Sequence, residues 1–416
     1  MIDSTFSIYQ PNIKEWNLVP LAHVCTEVKK RNSALLEDNL LSLSYGKIIR
    51  KDIAGTDGLL PESFDGYNIV EPGDVVLRLT DLQNDKRSLR TGLVRERGII
   101  TSAYTSIRPH GVDPRWLAYT LHSYDIQKVF YALGSGLRQS MKFDDLKLLA
   151  IAVPPLKVQR RIADYLDATC EYIDKAVTAT NKLLISSEEI LISKLGELFV
   201  EKPTPDFLLG KMGVSTSLFR AGIRGQAGQT PKSSEATFWT ESGFGTPWLS
   251  ISDLVSRGRI ISSEKDVTDL GLMEIGMKPS EEETLLFAMY ASMGKVSFAP
   301  PGFVWSQAIL GLATGDVDKY FLAAWFEVAR PHLKALARSS TQDNLNADQV
   351  MSLRIPVIAR GEQTLIGKMY LSMVDEHLKR NMILEEQTRL LNELKVSLIA
   401  GAITGTFDLT SGRSVA

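Results

Sequence analysis

Two polar loops carry the side chains best suited to hydrogen bonding with the edges of nucleic-acid bases. Arginine suits guanine, glutamine and asparagine suit adenine, and serine or threonine suits phosphate oxygens. Either loop alone is typical of an ordinary surface, but the two occupy corresponding places in the two halves of the chain. We therefore take both as candidates for binding DNA. In Gly134–Lys142 and Arg338–Asn344 the candidates are Arg138, Gln139, Ser140, Lys142, Thr341, Gln342 and Asn344.

Further candidates offer the same hydrogen-bonding groups elsewhere in the two halves. They are Arg78, Thr80, Thr230, Lys232, Ser250, Ser252, Lys295, Ser306 and Gln307. Basic residues at Lys29–Arg31, Lys86, Arg87, Arg90, Arg95 and Arg97 could meet phosphates, and they could equally form solvated faces.

No set of residues predicts catalysis. The five histidines do not fall at metal-ligand spacings, and Gly134-Ser135-Gly136 follows a helical pattern rather than a strand. Glu27-Val28-Lys29 and Glu393-Leu394-Lys395 resemble the Glu-x-Lys of nucleases but lack an aspartate partner on a strand. Val153-Pro154-Pro155-Leu156 lacks both the amide and the aromatic residue of an amino-methyltransferase tetrad. We predict that the chain is not an enzyme and holds no metal or cofactor.

Length and composition indicate a globular protein of two or three domains, with 416 residues and 23% charged residues. The net charge of −2 means that any DNA-binding surface is a local patch. Cys25 and Cys170 stand far apart and predict reduced, buried thiols. Without a signal-peptide pattern or a long apolar run, we expect a cytoplasmic, non-membrane protein.

Two long helical patterns connect these regions. After Pro154-Pro155 no Gly or Pro occurs until Gly196, and apolar residues recur at alternating spacings of four and three. The seam residues are Leu166, Cys170, Ile173, Val177, Thr180, Leu184, Ser187, Leu191 and Leu198. A helix from Pro155 to Val200 would be roughly 70 Å long, which requires a partner helix. The second pattern supplies it with Ile366, Tyr370, Met373, His377, Leu384, Leu391, Leu394 and Leu398. We predict an antiparallel pair, with His377 at its rim or capped in its core.

The order of these features repeats at a nearly constant separation, close to half the chain. Trp116 matches Tyr320, Gln139 matches Gln342, Pro154 matches Pro356 and Gln159 matches Gln363. The alternative, two unrelated domains sharing generic elements, is less consistent with this order. The predicted fold is α+β, with two globular α/β domains in tandem, separated and joined by two long helices that form an antiparallel coiled coil. The predicted segments are 1–153 and 203–357 for the domains, 154–202 and 358–405 for the helices, and 406–416 for a tail.

The motifs at the helix and domain starts resemble those of type I restriction-modification specificity subunits. They are Pro154-Pro155-Leu156-x-x-Gln159-x-x-Ile162-Ala163-x-x-Leu166-Asp167, Gly228-Gln229-Thr230-Pro231-Lys232, Pro247-Trp248-Leu249, Ser252-Asp253-Leu254 and Ser397–Gly405. The resemblance extends over essentially the whole chain. It departs from the pattern at Ile355-Pro356-Val357, which keeps one proline, and in the first domain, which lacks the Gly-x-Thr-Pro start.

The resemblance implies that each domain is a target-recognition domain for half of a bipartite, asymmetric site in double-stranded DNA. It implies that the helices set the spacer and bind two modification (methyltransferase) subunits, and that restriction motor-nuclease subunits join in a prokaryotic cytoplasm. S-adenosylmethionine, ATP and magnesium would belong to those partners. The alternatives are a coiled-coil scaffold that does not bind DNA and a fused nuclease or methyltransferase.

Overall fold

Both helices and sheets are present in the computed structural model, which confirms the α+β class. It describes residues 16–51, 63–80, 82, 89–133, 140–338, 344–408 and 413–414. Among these, no helix has the length and apolar character that crossing a membrane requires. The α-helices are α1 (Pro114–Ile126), α2 (Val129–Leu133), α3 (Phe143–Leu146), α4 (Leu156–Glu197), α5 (Pro205–Leu208), α6 (Asp269–Ile275), α7 (Lys319–Arg338), α8 (Ala347–Ser352) and α9 (Arg360–Thr404).

Short strands supply the rest of the regular structure, together with 3-10 turns at Leu21–His23, Ala236–Phe238 and Ile251–Asp253. The strands of the first half are β1 (Asn17–Pro20), β2 (Cys25–Glu27), β3 (Leu41–Ser44), β4 (Lys47–Arg50), β5 (Asn68–Val70), β6 (Val75–Leu77), β7 (Thr91–Leu93), β8 (Gly98–Ile100), β9 (Thr105–Pro109) and β10 (Ala150–Val153). Those of the second half are β11 (Ser215–Ser217), β12 (Arg224–Ala227), β13 (Trp239–Glu241), β14 (Thr246–Leu249), β15 (Lys265–Val267), β16 (Thr284–Ala288), β17 (Val296–Ala299), β18 (Val304–Trp305), β19 (Ile309–Ala313), β20 (Arg354–Pro356), β21 (Phe407–Asp408) and β22 (Arg413–Ser414).

The first of two compact units comprises residues 1–180 and 386–416. Its main sheet has the strand order β2-β9-β6-β7. All pairings are antiparallel, and Val75 lies opposite both Leu93 and Ile107. Helix α1 covers this sheet and buries Trp116 and Leu117 completely. The Asp113 side chain accepts hydrogen bonds from the first backbone N–H groups of α1, and Pro114 fits its first turn.

The second unit comprises residues 181–385. Its main sheet has the order β12-β19-β16-β17, in which Leu285 lies opposite both Leu312 and Phe298. Helix α7 covers this sheet and buries Phe321 and Trp325. A further sheet, β13-β15-β14-β18, adds a separate small core around Leu249 and Val267. The main sheets of the two units therefore share one topology, strand for strand.

A glutamine side chain joins the start of each long helix to the preceding domain. In the first unit Gln159 donates to the Pro154 carbonyl at 2.8 Å and accepts from the Asp113 backbone N–H at 2.8 Å. In the second unit Gln363 donates to the Ile358 carbonyl at 3.2 Å and accepts from the Asp318 N–H at 3.0 Å. The two ends of each carboxamide thus tie the helix start to the cap of α1 or α7.

These contacts correct two of the predicted correspondences while supporting the match between Gln159 and Gln363. Asp113 and Asp318 both accept from the backbone N–H three residues later, which aligns Trp116 with Phe321 rather than with Tyr320. Similarly, the Gln159 and Gln363 bonds align Pro154 with Ile358, not with Pro356. The predicted pairs were chosen because their residue types are alike. In the structure, equivalent residues are those with the same position relative to the helix cap and the same buried face.

Within each unit, one segment of α4 packs against one segment of α9. In the first unit, Ile162, Leu166 and Cys170 share a core with Ile399, Ala402 and Ile403. In the second, Leu191, Leu195 and Phe199 share a core with Ile366, Tyr370 and Val374. The polar seam residues Thr180 and Ser187 are buried as predicted, whereas Leu394 is 49% exposed and its seam assignment is wrong. Because an α-helix has 3.6 residues per turn, residues spaced seven apart gradually rotate around the helix surface. Near the end of α9 the buried face therefore includes Ile399 instead of Leu394.

Candidate nucleic-acid interface

The loop Gly228–Lys232 of the second unit is held in place by three tryptophans. The indole N–H of Trp248 donates to the Gln229 carbonyl at 2.9 Å, and that of Trp239 donates to the Lys232 carbonyl at 3.2 Å. The two rings pack edge to face with centroids 4.9 Å apart. Because both ends of the loop are fixed, its exposed side chains project from a rigid backbone.

The third tryptophan, Trp305, explains why the loop begins with a glycine. Its carbonyl accepts from the Gln229 N–H at 2.8 Å, and its indole N–H donates to the Gln226 carbonyl at 3.1 Å. A Cβ atom on Gly228 would lie 2.0 Å from the Trp305 carbonyl oxygen, so no other residue fits there without movement. The segment Trp305–Gln307 is thereby held against the Gly228–Lys232 loop.

Several of the predicted DNA-binding residues come together at this surface. Thr230, Lys232 and Gln307 are exposed, and the Thr230 hydroxyl donates to the carboxamide oxygen of Gln307. That oxygen retains a second lone pair and the amide nitrogen two donors, so the group can still read a base edge. Ser250 and Ser252 join the same region, because the Ser306 N–H donates to the Leu249 carbonyl at 2.8 Å.

Other predicted contacts of the second unit have different surroundings. Ser306 is only 6% exposed, which argues against direct contact with DNA. The Lys295 ammonium donates to the Leu254 carbonyl, and burial beside Arg330 lowers its pKa, so it is directed into the protein. Asn344 is half-buried next to Leu345, whose N–H donates to the Met289 carbonyl at 3.3 Å. Thr341 and Gln342 lie outside the described residues.

In the first unit, the counterpart of the segment around Asn344 lies at the end of β6. The Met141 N–H donates to the Leu79 carbonyl at 2.8 Å, which brings Ser140 and Lys142 beside Arg78 and Thr80. This bond has the same pattern as the one between Leu345 and Met289. Ser140 and Lys142 are exposed, and Arg78 and Thr80 are half-buried. Arg138 and Gln139 lie outside the described residues.

Arg90 supports this region from inside, so the prediction that it could meet phosphate is wrong. Its side chain is fully buried and donates to the Arg78 carbonyl at 3.1 Å and the Thr80 carbonyl at 2.7 Å. The guanidinium also donates to the Tyr131 hydroxyl at 3.1 Å and lies over that ring. Sequence reasoning missed this role because charge alone does not reveal whether an arginine points outward.

Two of the remaining basic residues form ion pairs, whereas Lys86 and Arg87 lie outside the described residues. Lys29 pairs with Glu27 at 2.7 Å, and Arg97 pairs with Glu37 at 2.7 Å and with Glu71. No group of three or more His, Cys, Asp or Glu in the described part of the chain is arranged to hold a metal ion. The exposed side chains of both regions offer hydrogen-bonding and charged groups.

Comparison with known proteins finds similarity to DNA-specificity proteins of type I restriction-modification systems. Residues 221–387 match the family described as "Type I restriction modification DNA specificity domain". A curated protein of Methanocaldococcus jannaschii, assigned as a type I restriction enzyme MjaX specificity subunit, is 24% identical over 268 residues. That alignment covers 62% of this chain and 60% of the relative, which is less than two thirds of its length.

One solved structure shows a related fold, and a second is reported beside it. One, from a study of complex assembly and conformational transition of the type I R-M system, aligns with a TM-score of 0.71 and 18% identity. It covers 95% of this chain and 99% of that chain. The HsdS subunit from Thermoanaerobacter tengcongensis aligns with a TM-score of 0.48 and 16% identity, over 94% of this chain and 97% of that one. The sequence matches therefore show a resemblance to type I restriction-modification specificity subunits, with the family match confined to residues 221–387.

Proposed function

We propose that this chain is the DNA-specificity subunit of a type I restriction-modification complex and recognises a bipartite, asymmetric site. The observation that carries the proposal is the shared strand order of the two main sheets, each followed by a long helix joined through Gln159 or Gln363. A repeated unit of this kind offers two similar binding surfaces on one chain. Because the exposed side chains of the two surfaces differ, the two half-sites would differ in sequence.

The two globular parts would be tandem target-recognition domains with the boundaries predicted above. Helices α4 and α9 would form an antiparallel coiled coil that sets the distance between the half-sites. Supporting this, Asp174 of α4 pairs with Lys395 of α9 in the first unit, and Ser187 of α4 bonds His377 of α9 in the second. The partner of the later α4 residue is the earlier residue of α9, as an antiparallel arrangement requires.

The outer faces of these helices would bind two modification subunits, with restriction motor-nuclease subunits completing the assembly in a prokaryotic cytoplasm. S-adenosylmethionine, ATP and magnesium would act in those partners. The modest net charge of −2 is compatible with this division, because partner subunits can neutralise many of the phosphates. This chain would contribute sequence selection and geometry.

A selection experiment tests the proposal. The full chain, purified together with its modification subunits, is incubated with randomised DNA duplexes, and the bound fraction is sequenced. We expect two short defined half-sites separated by an undefined spacer of up to about one helical turn, ~10 base pairs. Binding without any enriched bipartite sequence would favour the alternative of a scaffold that does not read DNA.

Variants of the Gly228–Lys232 surface test where one half-site is read. Gln307→Ala should relax the preference at one base position by about 1–3 kcal/mol, because the carboxamide is an edge-reading group. Lys232→Ala should weaken binding to all sequences similarly and reduce the salt-dependence slope by about 1. Lys278→Ala, at an exposed lysine between α6 and β16, is the matched control. An unchanged base preference in Gln307→Ala would remove Gln307 from the readout.

A further inference from the structure

A buried ion network in the second unit connects the globular part to helix α4. Arg257 lies in the turn after β14 with a left-handed φ of 60°, and its side chain is 4% exposed. Its guanidinium donates to Glu188 of α4 at 2.7 Å and to Glu327 of α7 at 2.7 Å. A second guanidinium bond to Glu188 makes that contact bidentate. One arginine thus links a turn of the small sheet, the helix that covers the main sheet, and the long helix.

The globular part holds Arg257 firmly in place. The Arg257 backbone N–H donates to the Val296 carbonyl at 2.9 Å, which anchors the residue to β17. Glu327 is fully buried, and Arg330 of the same helix adds a second positive charge nearby. A planar guanidinium bound to two carboxylates has little freedom to change direction. Consequently, the position of Glu188 relative to β17 and α7 is determined to within a hydrogen-bond length.

Helix α9 contributes to the same junction through His377. Its Nε2 atom lies 3.4 Å from Glu188, and its Nδ1 atom lies 3.1 Å from the Ser187 hydroxyl. Burial and the nearby Arg257 lower the pKa of His377, so the imidazole is neutral at pH 7. Glu188 therefore stands where α4, α9 and the globular part of the second unit meet, and it is the one carboxylate of the network that remains 44% accessible.

We propose that the Glu188–Arg257 contact is a positioning latch that fixes the direction of the second globular domain on α4, and so confines recognition to one spacer length. This inference rests on the proposed function. Arg257 and Glu188 do not contact DNA themselves. They determine the orientation of the DNA-binding surface of the second globular domain. Loss of the latch lets the domain pivot, which relaxes the required distance between half-sites without changing either half-site.

Glu188→Gln is the variant that isolates this role. Arg257 keeps its buried partner Glu327, so the interior retains a neutralised pair and the chain should fold normally. Glu189→Gln, at the neighbouring exposed carboxylate of α4, is the matched control. A second test, Arg257→Met combined with Glu327→Gln, removes both interior charges together and should reproduce the effect of Glu188→Gln.

The measurement is binding of the full chain with its modification subunits to duplexes that carry the selected half-sites at spacers from zero to ~10 base pairs. Wild type and Glu189→Gln should prefer one spacer strongly. In Glu188→Gln the preference over spacers one base pair longer or shorter should fall about tenfold, the scale of a hydrogen bond between charged groups. The bases selected within each half-site should be unchanged.

Two results would overturn the latch. One is an unchanged spacer profile in Glu188→Gln, and the other is a uniform loss at all spacers, which indicates a merely stabilising role. Failure of the proposed function looks different, because the wild-type chain would then select no bipartite sequence at all. The supporting result is a broadened spacer profile with intact half-site preferences.

Discussion

The two units attach their globular parts to the long helices with different side chains around a similar backbone arrangement. In the first unit Asp174 of α4 accepts from Lys395 of α9 at 2.6 Å and from Lys47 of the β3–β4 hairpin at 2.8 Å. In the second unit Glu188 of α4 takes the corresponding role between His377 and Arg257. Each junction has an acidic residue on α4 that meets one group from α9 and one from the globular part.

The difference is in burial and in hydrogen-bond number. Lys47 is 65% exposed and forms a single bond, whereas Arg257 is 4% exposed and binds two carboxylates. Exposed pairs contribute little because water and salt screen them, while a buried charge that loses its partner is strongly destabilising. The two units therefore share a backbone arrangement, but the ion pairs at their junctions contribute different amounts to the free energy of folding.

The largest effect should come from removing the buried arginine. Arg257→Ala leaves Glu327 without its charged partner in the interior, which should destabilise the second unit by about 3–5 kcal/mol. Urea unfolding of the full chain, followed by hydrogen exchange in each unit, measures this. The first unit should keep its protection. Equal loss of protection in both units would contradict the assignment of the network to one unit.

The paired glutamines should show an intermediate and unequal effect. Gln159 is 1% exposed and Gln363 is half-buried, although both make the same two bonds. Gln159→Ala leaves the Asp113 N–H without its partner in a buried site and should cost about 1–3 kcal/mol. Gln363→Ala should cost less, because water can replace the lost bonds. Thermal unfolding of the two variants compares them, and a larger loss in Gln363→Ala would contradict this ranking.

The second junction should contribute a pH dependence of its own through His377. The first unit contributes separately, because burial lowers the pKa of His122 to about 4. The lowered pKa of His377 means that the unfolded chain takes up a proton near pH 6.5 that the folded chain resists. Stability from this residue is therefore present above about pH 6.5 and is lost as the pH falls below it. His377→Gln should flatten the decline in urea stability between about pH 6.5 and 5. The part of the decline that comes from His122 should remain in this variant. A decline as steep as that of the wild type would exclude a contribution from His377.

The smallest effect is expected at the exposed junction. Lys47→Ala should reduce the stability of the first unit by less than about 1 kcal/mol, and added salt should remove most of the difference. The wild-type and variant chains are compared by urea unfolding at low and high ionic strength. A larger, salt-independent loss would show that the two junctions are energetically alike.

Much of the scaffold could be predicted from the sequence because it depends on local patterns. The four-three spacing predicted both α4 and α9. For α4, the absence of Gly and Pro up to Gly196 supported the prediction, and Pro154-Pro155 predicted where the helix begins. The match of Gln159 with Gln363 is supported by identical hydrogen bonding at both positions. The predicted DNA-binding role of the polar loops stays a prediction, as do the domain boundaries.

Local patterns could not determine the direction of individual side chains. Arg90 and Arg257 look like surface arginines in the sequence, yet both are buried, because carbonyls or carboxylates from distant segments converge on their guanidinium groups. The three tryptophans that hold Gly228–Lys232 are likewise separated along the chain and meet only when the sheets form.

The sequence by itself determined the long helices, most of the residues in their seam and the repeated order of elements, since helix periodicity and proline geometry act over a few residues. The tertiary structure alone decided which charges are buried, which loop is rigid and which residues of the repeat are equivalent. Those properties depend on hydrogen bonds between segments far apart in the chain, and a hydrogen bond forms only when folding brings its donor and acceptor within about 3 Å.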